Sequence, residues 1–78
     1  MYVYILNSKT DTKRFYVGST NDLKRRLEQH NRGDVLATKK GRPWYIHTAL
    51  WMHSRDKAIA FEIYLKSHAG RAFQKKHF

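Results

Sequence analysis

Three stretches near the N-terminus decide the fold: Tyr2-Val3-Tyr4-Ile5-Leu6, then Phe15-Tyr16-Val17-Gly18, then Leu23-Lys24-Arg25-Arg26-Leu27-Glu28-Gln29-His30. The first two are β-branched and aromatic, the composition of short strands. The polar run Asn7 to Lys13 between them is loop-like, so a β-hairpin is expected. Antiparallel pairing puts Tyr4 close to Phe15 or Tyr16. Gly18 ends the second strand where the backbone turns or another group comes close. A helix follows from Asp22 to Arg32, with Asp22 at its positive end and Gly33 as its stop. Leu23, Leu27 and His30 form one stripe on that helix, and Arg26 and His30 are i, i+4 neighbours beside it. Two strands and a helix therefore bring Tyr4, Tyr16, Arg26 and His30 towards one place.

Further along, Gly33 to Pro43 is a connector carrying Lys39, Lys40 and Arg42, and Trp44 to Met52 is a third strand. Ser54 caps a second helix from Arg55 to about Ser67, with Ala58, Phe61 and Leu65 on its core side. Gly70 breaks that helix, and Arg71 to His77 forms a short final one. The expected architecture is α+β: a small three-stranded antiparallel sheet flanked by helices in the order ββαβα(α), one domain over residues 1–78.

Composition narrows the partners. Sixteen Lys and Arg against six acids give a net charge of +10 on 78 residues. Five Tyr, two Trp and four Phe mark a folded basic domain rather than a basic tail. Nucleic acid is the commonest polyanion for such a domain. A chain this size hides only roughly 60–65 % of its unfolded surface, so its margin of stability is thin. There is no cysteine to add a disulfide or a thiolate–zinc site. The other histidines, His47, His53, His68 and His77, lack metal-ligand spacing, which argues against zinc. No P-loop or dinucleotide signature is present. No apolar run spans a membrane and no signal peptide is evident, so a cytoplasmic protein without a membrane partner is expected.

Several residues carry two readings. Glu62 is i, i+4 from Lys66, and on spacing alone an ion pair is the simpler account. The other reading is a carboxylate ligand for Mg2+, an ion that needs few protein ligands when phosphates and water complete its octahedron. Tyr4 and Tyr16 either pack across strands or aim phenols at a shared site. Arg26 is either one more surface charge or a fork for phosphate. His30 is either a packing histidine or a partner of Arg26.

These motifs together resemble the GIY-YIG nuclease domain, in particular its small stand-alone bacterial (YhbQ-like) group. Tyr2-Val3-Tyr4 and Tyr16-Val17-Gly18 stand at the two tripeptides, Asn21 to Asn31 at the Arg-bearing helix, Ala37 to Trp44 at the basic loop and third strand, and Glu62 at the metal-binding glutamate. The first tripeptide has Tyr2 in place of glycine, and Ser19 stands where the excision-repair branch carries a lysine. What the resemblance implies is a metal-dependent DNA endonuclease, with a role in repair or recombination. Glu62 would then hold Mg2+ (or Mn2+), Tyr4 or Tyr16 would be the base, Arg26 would stabilise the phosphate and His30 would position the tyrosine or a phosphate oxygen. Lys24, Arg25, Arg32, Lys39, Lys40 and Arg42 would hold the DNA, helped by Arg71, Lys75 and Lys76. The rival readings are a non-catalytic nucleic-acid-binding module that kept the fold and an accessory protein for an acidic partner.

Overall fold

The computed structural model describes residues 1–78, all of the chain. Its elements are β1 (Tyr2–Ser8), β2 (Phe15–Thr20), α1 (Leu23–Arg32), a 3-10 turn (Leu36–Thr38), β3 (Trp44–Trp51), α2 (Arg55–Lys66) and α3 (His68–His77). The three strands form one antiparallel sheet in the order β2-β1-β3. The expected α+β architecture is what the chain adopts.

Because strand side chains alternate, β1 serves two cores at once. Val3 and Ile5 join Val17, Ala58 and Leu65 on the face covered by α2 and α3, with Phe61 and Phe73 packed against them. Tyr4 and Leu6 join Trp44 on the opposite face, where Leu23 and Leu27 of α1 close the layer. The central strand is thus buried on both faces; α2 backs the edge strand β2, while α1 packs towards β3 and reaches β2 through His30 and Tyr16.

Three readings of the chain are corrected. Asn7 and Ser8 are buried strand residues rather than loop. The Asn7 amide donates to the carbonyls of Thr12 and Arg14 at 3.1 and 3.0 Å, and its oxygen accepts from the Tyr45 hydroxyl at 2.6 Å. Ser8 Oγ donates to the Gly41 carbonyl and accepts from the backbone N–H groups of Thr10 and Asp11. These polar side chains knit the hairpin loop and the connector onto the end of β1. The longer strands also move the register, so that Tyr4 pairs with Gly18 while Tyr16 pairs with Leu6 and Phe15 with Asn7.

The third correction concerns Gly70, which lies inside α3 rather than ending α2. Ser67 stops α2 and caps α3, accepting the Gly70 N–H at 3.1 Å. A Cβ at Gly70 would run into the Tyr64 carbonyl and the Leu65 Cα. The glycine is there because α3 folds back against the end of α2.

Candidate active site

Tyr4 originates on the central strand, yet its phenol reaches the sheet edge. Its cross-strand partner Gly18 has no side chain, and the Tyr4 ring lies over that gap. A Cβ on Gly18 would sit 2.5 Å from the Tyr4 hydroxyl and 2.7 Å from its Cζ. In this way the glycine of the second tripeptide makes room for the tyrosine of the first. Tyr16 on β2 faces the same side, and its ring meets His30 edge-on at 5.0 Å between centroids.

His30 is fully buried and hydrogen-bonded at both ring nitrogens, Nε2 to the Tyr4 hydroxyl at 2.8 Å and Nδ1 to Thr38 Oγ1 at 2.7 Å. Thr38 Oγ1 also lies 3.3 Å from the Val35 carbonyl, to which it donates. One assignment gives every proton an acceptor. Thr38 donates to Val35, His30 Nδ1–H donates to Thr38, and the Tyr4 hydroxyl donates to the free lone pair on Nε2. Burial, assisted by the charge of Arg26, lowers the His30 pKa to about 4, so the ring is neutral at physiological pH.

Arg26 Nε points at the Tyr4 hydroxyl from 3.4 Å, and Nη1 donates to Gln29 Oε1 at 3.0 Å. The hydrogen bond to Tyr4 outweighs burial and raises the Arg26 pKa further, so the guanidinium stays charged. Burial raises the Tyr4 pKa against the pull of Arg26. Tyr4 is therefore a neutral phenol at rest, with an acceptor for its proton already in place.

Glu62 arrives from the opposite face. It projects from α2 to the β2 edge, where Ser19 Oγ donates to Oε1 and Lys66 Nζ donates to Oε2 at 2.7 Å. The i, i+4 ion pair anticipated from spacing is formed. Burial pushes the Glu62 carboxyl up, but the hydrogen bonds from Lys66 and Ser19 and the Lys66 charge outweigh it and hold the carboxyl below its ordinary range. Lys66 Nζ also stands 5.9 Å from the Tyr16 ring centroid, so that one ammonium links the carboxylate to the aromatic cluster. Tyr4, Tyr16, Arg26, His30 and Glu62 are thus gathered at one edge of the sheet.

No group of three or more His, Asp or Glu side chains is placed to hold a metal ion. What the edge offers is one ionised carboxylate, a hard oxygen donor. That set does not suit a tightly held resident ion. It does fit Mg2+ or Mn2+ brought in with a phosphate, since Mg2+ often keeps its waters and uses one or two carboxylates. Such an ion would compete with Lys66 for Glu62.

The six residues expected to hold DNA divide into two groups. Lys24, Arg25, Lys39 and Lys40 are exposed with no side-chain ion pair. Arg32 is paired with Asp34 at 2.9 Å, and Arg42 Nε donates to the Lys39 carbonyl at 2.9 Å while its guanidinium covers Gly33. Gln74 donates to the Leu65 carbonyl at 2.9 Å and holds α3 to α2.

Thr38 and Ser19 were missed as site residues. A threonine in a basic loop and a serine after a strand have no spacing that separates them from ordinary polar positions. Trp44 fixes Thr38, its indole N–H donating to the Thr38 carbonyl at 2.8 Å. The Asn31 side chain clamps both backbone groups of Trp44, at 2.7 and 3.0 Å.

Comparison with known proteins gives a consistent result. The model of the GIY-YIG catalytic domain matches residues 1–76. The chain is similar to the structure-specific endonuclease subunit SLX1 of Candida dubliniensis, 42 % identical over 96 % of this chain and 27 % of the relative. It is also similar to that of Debaryomyces hansenii, 40 % identical over 77 % of this chain and 19 % of the relative. In Chaetomium globosum the SLX1 match is 51 % identical over 54 % of this chain and 14 % of the relative. The chain therefore spans about a quarter or less of the length of these relatives. They are fungal, which corrects the expected placement in the stand-alone bacterial group. No solved structure matches significantly.

Proposed function

Since the chain belongs to the GIY-YIG catalytic domain family, we propose that it is a divalent-metal-dependent endonuclease that hydrolyses a phosphodiester in structured DNA, in repair or recombination. One observation carries the reading. Two tyrosines and an arginine cluster around His30 at one edge of the sheet, and Lys66 links that cluster to a carboxylate, Glu62, in a chain of net charge +10. The relatives are named structure-specific endonuclease subunits, which supports a substrate chosen by its structure and a partner protein as part of the working assembly.

In the proposed mechanism, Glu62 would hold Mg2+ or Mn2+, which supplies charge neutralisation at the phosphate. Tyr4 is the base. Its oxygen takes a proton from the attacking water while its own proton passes to His30 Nε2, 2.8 Å away. The raised Tyr4 pKa is why an acceptor is needed, because the phenol does not ionise unaided. The water oxygen bonds to phosphorus as the bond to the leaving oxygen breaks. Arg26, already donating towards Tyr4, stabilises the negative charge that builds on the phosphate oxygens. Tyr16 is only half-buried, shares the Arg26 guanidinium with Tyr4, and would orient the water or the phosphate. Lys24, Arg25, Lys39 and Lys40 contact the DNA backbone, giving affinity without sequence choice and steep salt dependence.

The test is cleavage of linear, nicked, flapped and branched DNA with Mg2+, Mn2+ or chelator. Metal-dependent cutting should vanish in Glu62→Ala and Arg26→Ala. Tyr4→Phe should lower the rate by about 10²- to 10⁴-fold with DNA binding retained. If Tyr16→Phe alone does so, the base is Tyr16. Binding without cutting on every substrate would leave a nucleic-acid-binding module.

A further inference from the structure

On the α2 and α3 side of β2 lies a second feature, a cleft of about 610 Å³ that the chemistry above does not use. Its floor is Ile5, Val17 and Leu65, and its rim holds Lys13, Lys66, Arg71 and Lys75 with no acidic residue in the lining. Phe15 stands on its wall, 49 % exposed, with its ring edge-on to His47 at 5.7 Å. Tyr16 and Lys66 belong to both the cleft and the catalytic edge.

We propose that this cleft binds one unpaired nucleotide of the DNA strand adjoining the scissile phosphate. The chemistry of the lining selects the occupant. An apolar floor beside a half-exposed aromatic ring accepts a flat, weakly polar body, and the three unpaired cations Lys13, Arg71 and Lys75, with Lys66 already held by Glu62, favour a body that carries negative charge outside. A nucleotide has that distribution, and a pocket of this volume falls within the roughly 300–1,000 Å³ range of ligand sites. A paired base does not fit the requirement, because its faces are covered by its neighbours in the stack and only its phosphates are offered. Aromatic faces combined with a cationic track are how single strands are held without sequence choice. Continuity with Tyr16 and Lys66 places the nucleotide next to the reacting phosphate, and this part of the inference rests on the nuclease reading. The consequence is a preference for DNA whose strand leaves the duplex at the cutting point.

The experiment measures binding by fluorescence anisotropy in chelator, with no cleavage. It uses a hairpin duplex, the same duplex with a single-stranded tail carrying 2-aminopurine at the first unpaired position, and a tailed duplex abasic at that position. Expected is tighter binding of the tailed duplex, quenching of the 2-aminopurine, and loss of the gain with the abasic tail. Phe15→Ala and Arg71→Ala, both on exposed side chains, should each weaken tailed binding by about tenfold while Phe15→Ala leaves duplex binding unchanged. Equal weakening of tailed and duplex DNA by Phe15→Ala, or abasic binding as tight as the intact tail, would overturn the proposal. Cleavage is scored separately with Mg2+. A chain that never cuts but shows this binding pattern loses the nuclease reading and keeps the cleft. A chain that cuts while Phe15→Ala binds the tailed duplex normally loses the cleft.

Discussion

His30 is a basic group walled in by the protein, and its tautomer is set by the hydroxyl of Thr38, which lies in a loop beyond the helix that carries it. With Nδ1 committed to Thr38, Nε2 is left to receive the Tyr4 proton. Thr38→Val keeps the shape and removes the acceptor, leaving a buried N–H unpaired at a cost of about 1–3 kcal/mol. The expected outcome is a lower melting temperature and slower cleavage with DNA binding unchanged, with Thr38→Ser close to the parent in each. Nitrogen NMR of labelled histidine should show His30 protonated on Nδ1 in the parent and shifted towards Nε2–H in Thr38→Val. A parent protonated on Nε2 would refute the relay. Strand and helix spacing sufficed to bring Tyr4, Tyr16, Arg26 and His30 towards one place, whereas for Glu62 spacing favoured only the ion pair with Lys66, and its link to a metal came from the resemblance alone. Thr38 was not legible, since what joins it to His30 is a contact across a loop that Trp44 pins down, and no period encodes that.

At the level of elements, the hairpin works because a large side chain on β1 is paired with none on β2. Gly18 does not end β2, which runs on to Thr20; of the two reasons expected for a glycine there, the close approach of another group holds, and the group is the Tyr4 ring across the strands, which gains space to reach the edge. Gly18→Ala should therefore push the Tyr4 phenol off both His30 and Arg26, costing about 1–3 kcal/mol in a packed site. Urea denaturation checks the stability, and a cleavage assay should show a loss comparable to Tyr4→Phe. Unchanged activity in a stable Gly18→Ala would mean that the phenol position is immaterial. The same blindness to packing explains Gly70, where a glycine looks like a helix stop although it marks the close approach of α3 to α2. Asn7 and Ser8 are a third instance. Polar residues read as loop until their partners are known, and here those partners sit in the hairpin loop, β3 and the connector.

On the scale of the whole molecule, a small double-sided core carries a net charge of +10, so stability depends on keeping further positive charge out. The His30 pKa falls from an ordinary 6.5 to about 4 on folding. Between those values the unfolded chain binds the extra proton, so stability rises with pH across this range. The contribution is fully present above about pH 6.5 and is lost as pH falls towards about 4, amounting to about 2 kcal/mol by pH 5. Glu62 acts in the same direction at lower pH, because its carboxyl is held below its ordinary range and protonation dissolves its bonds to Lys66 and Ser19. For a domain of this size 2 kcal/mol is a large share of the total. Urea denaturation at pH 7.5 and pH 5 should show that loss in the parent. His30→Gln, less stable at neutral pH but unable to gain the proton, should lose about 2 kcal/mol less between the two conditions. Parallel losses in parent and variant would mean that His30 titrates alike in the folded and unfolded chain, and the neutral, buried ring on which the Tyr4 relay depends would have to be abandoned.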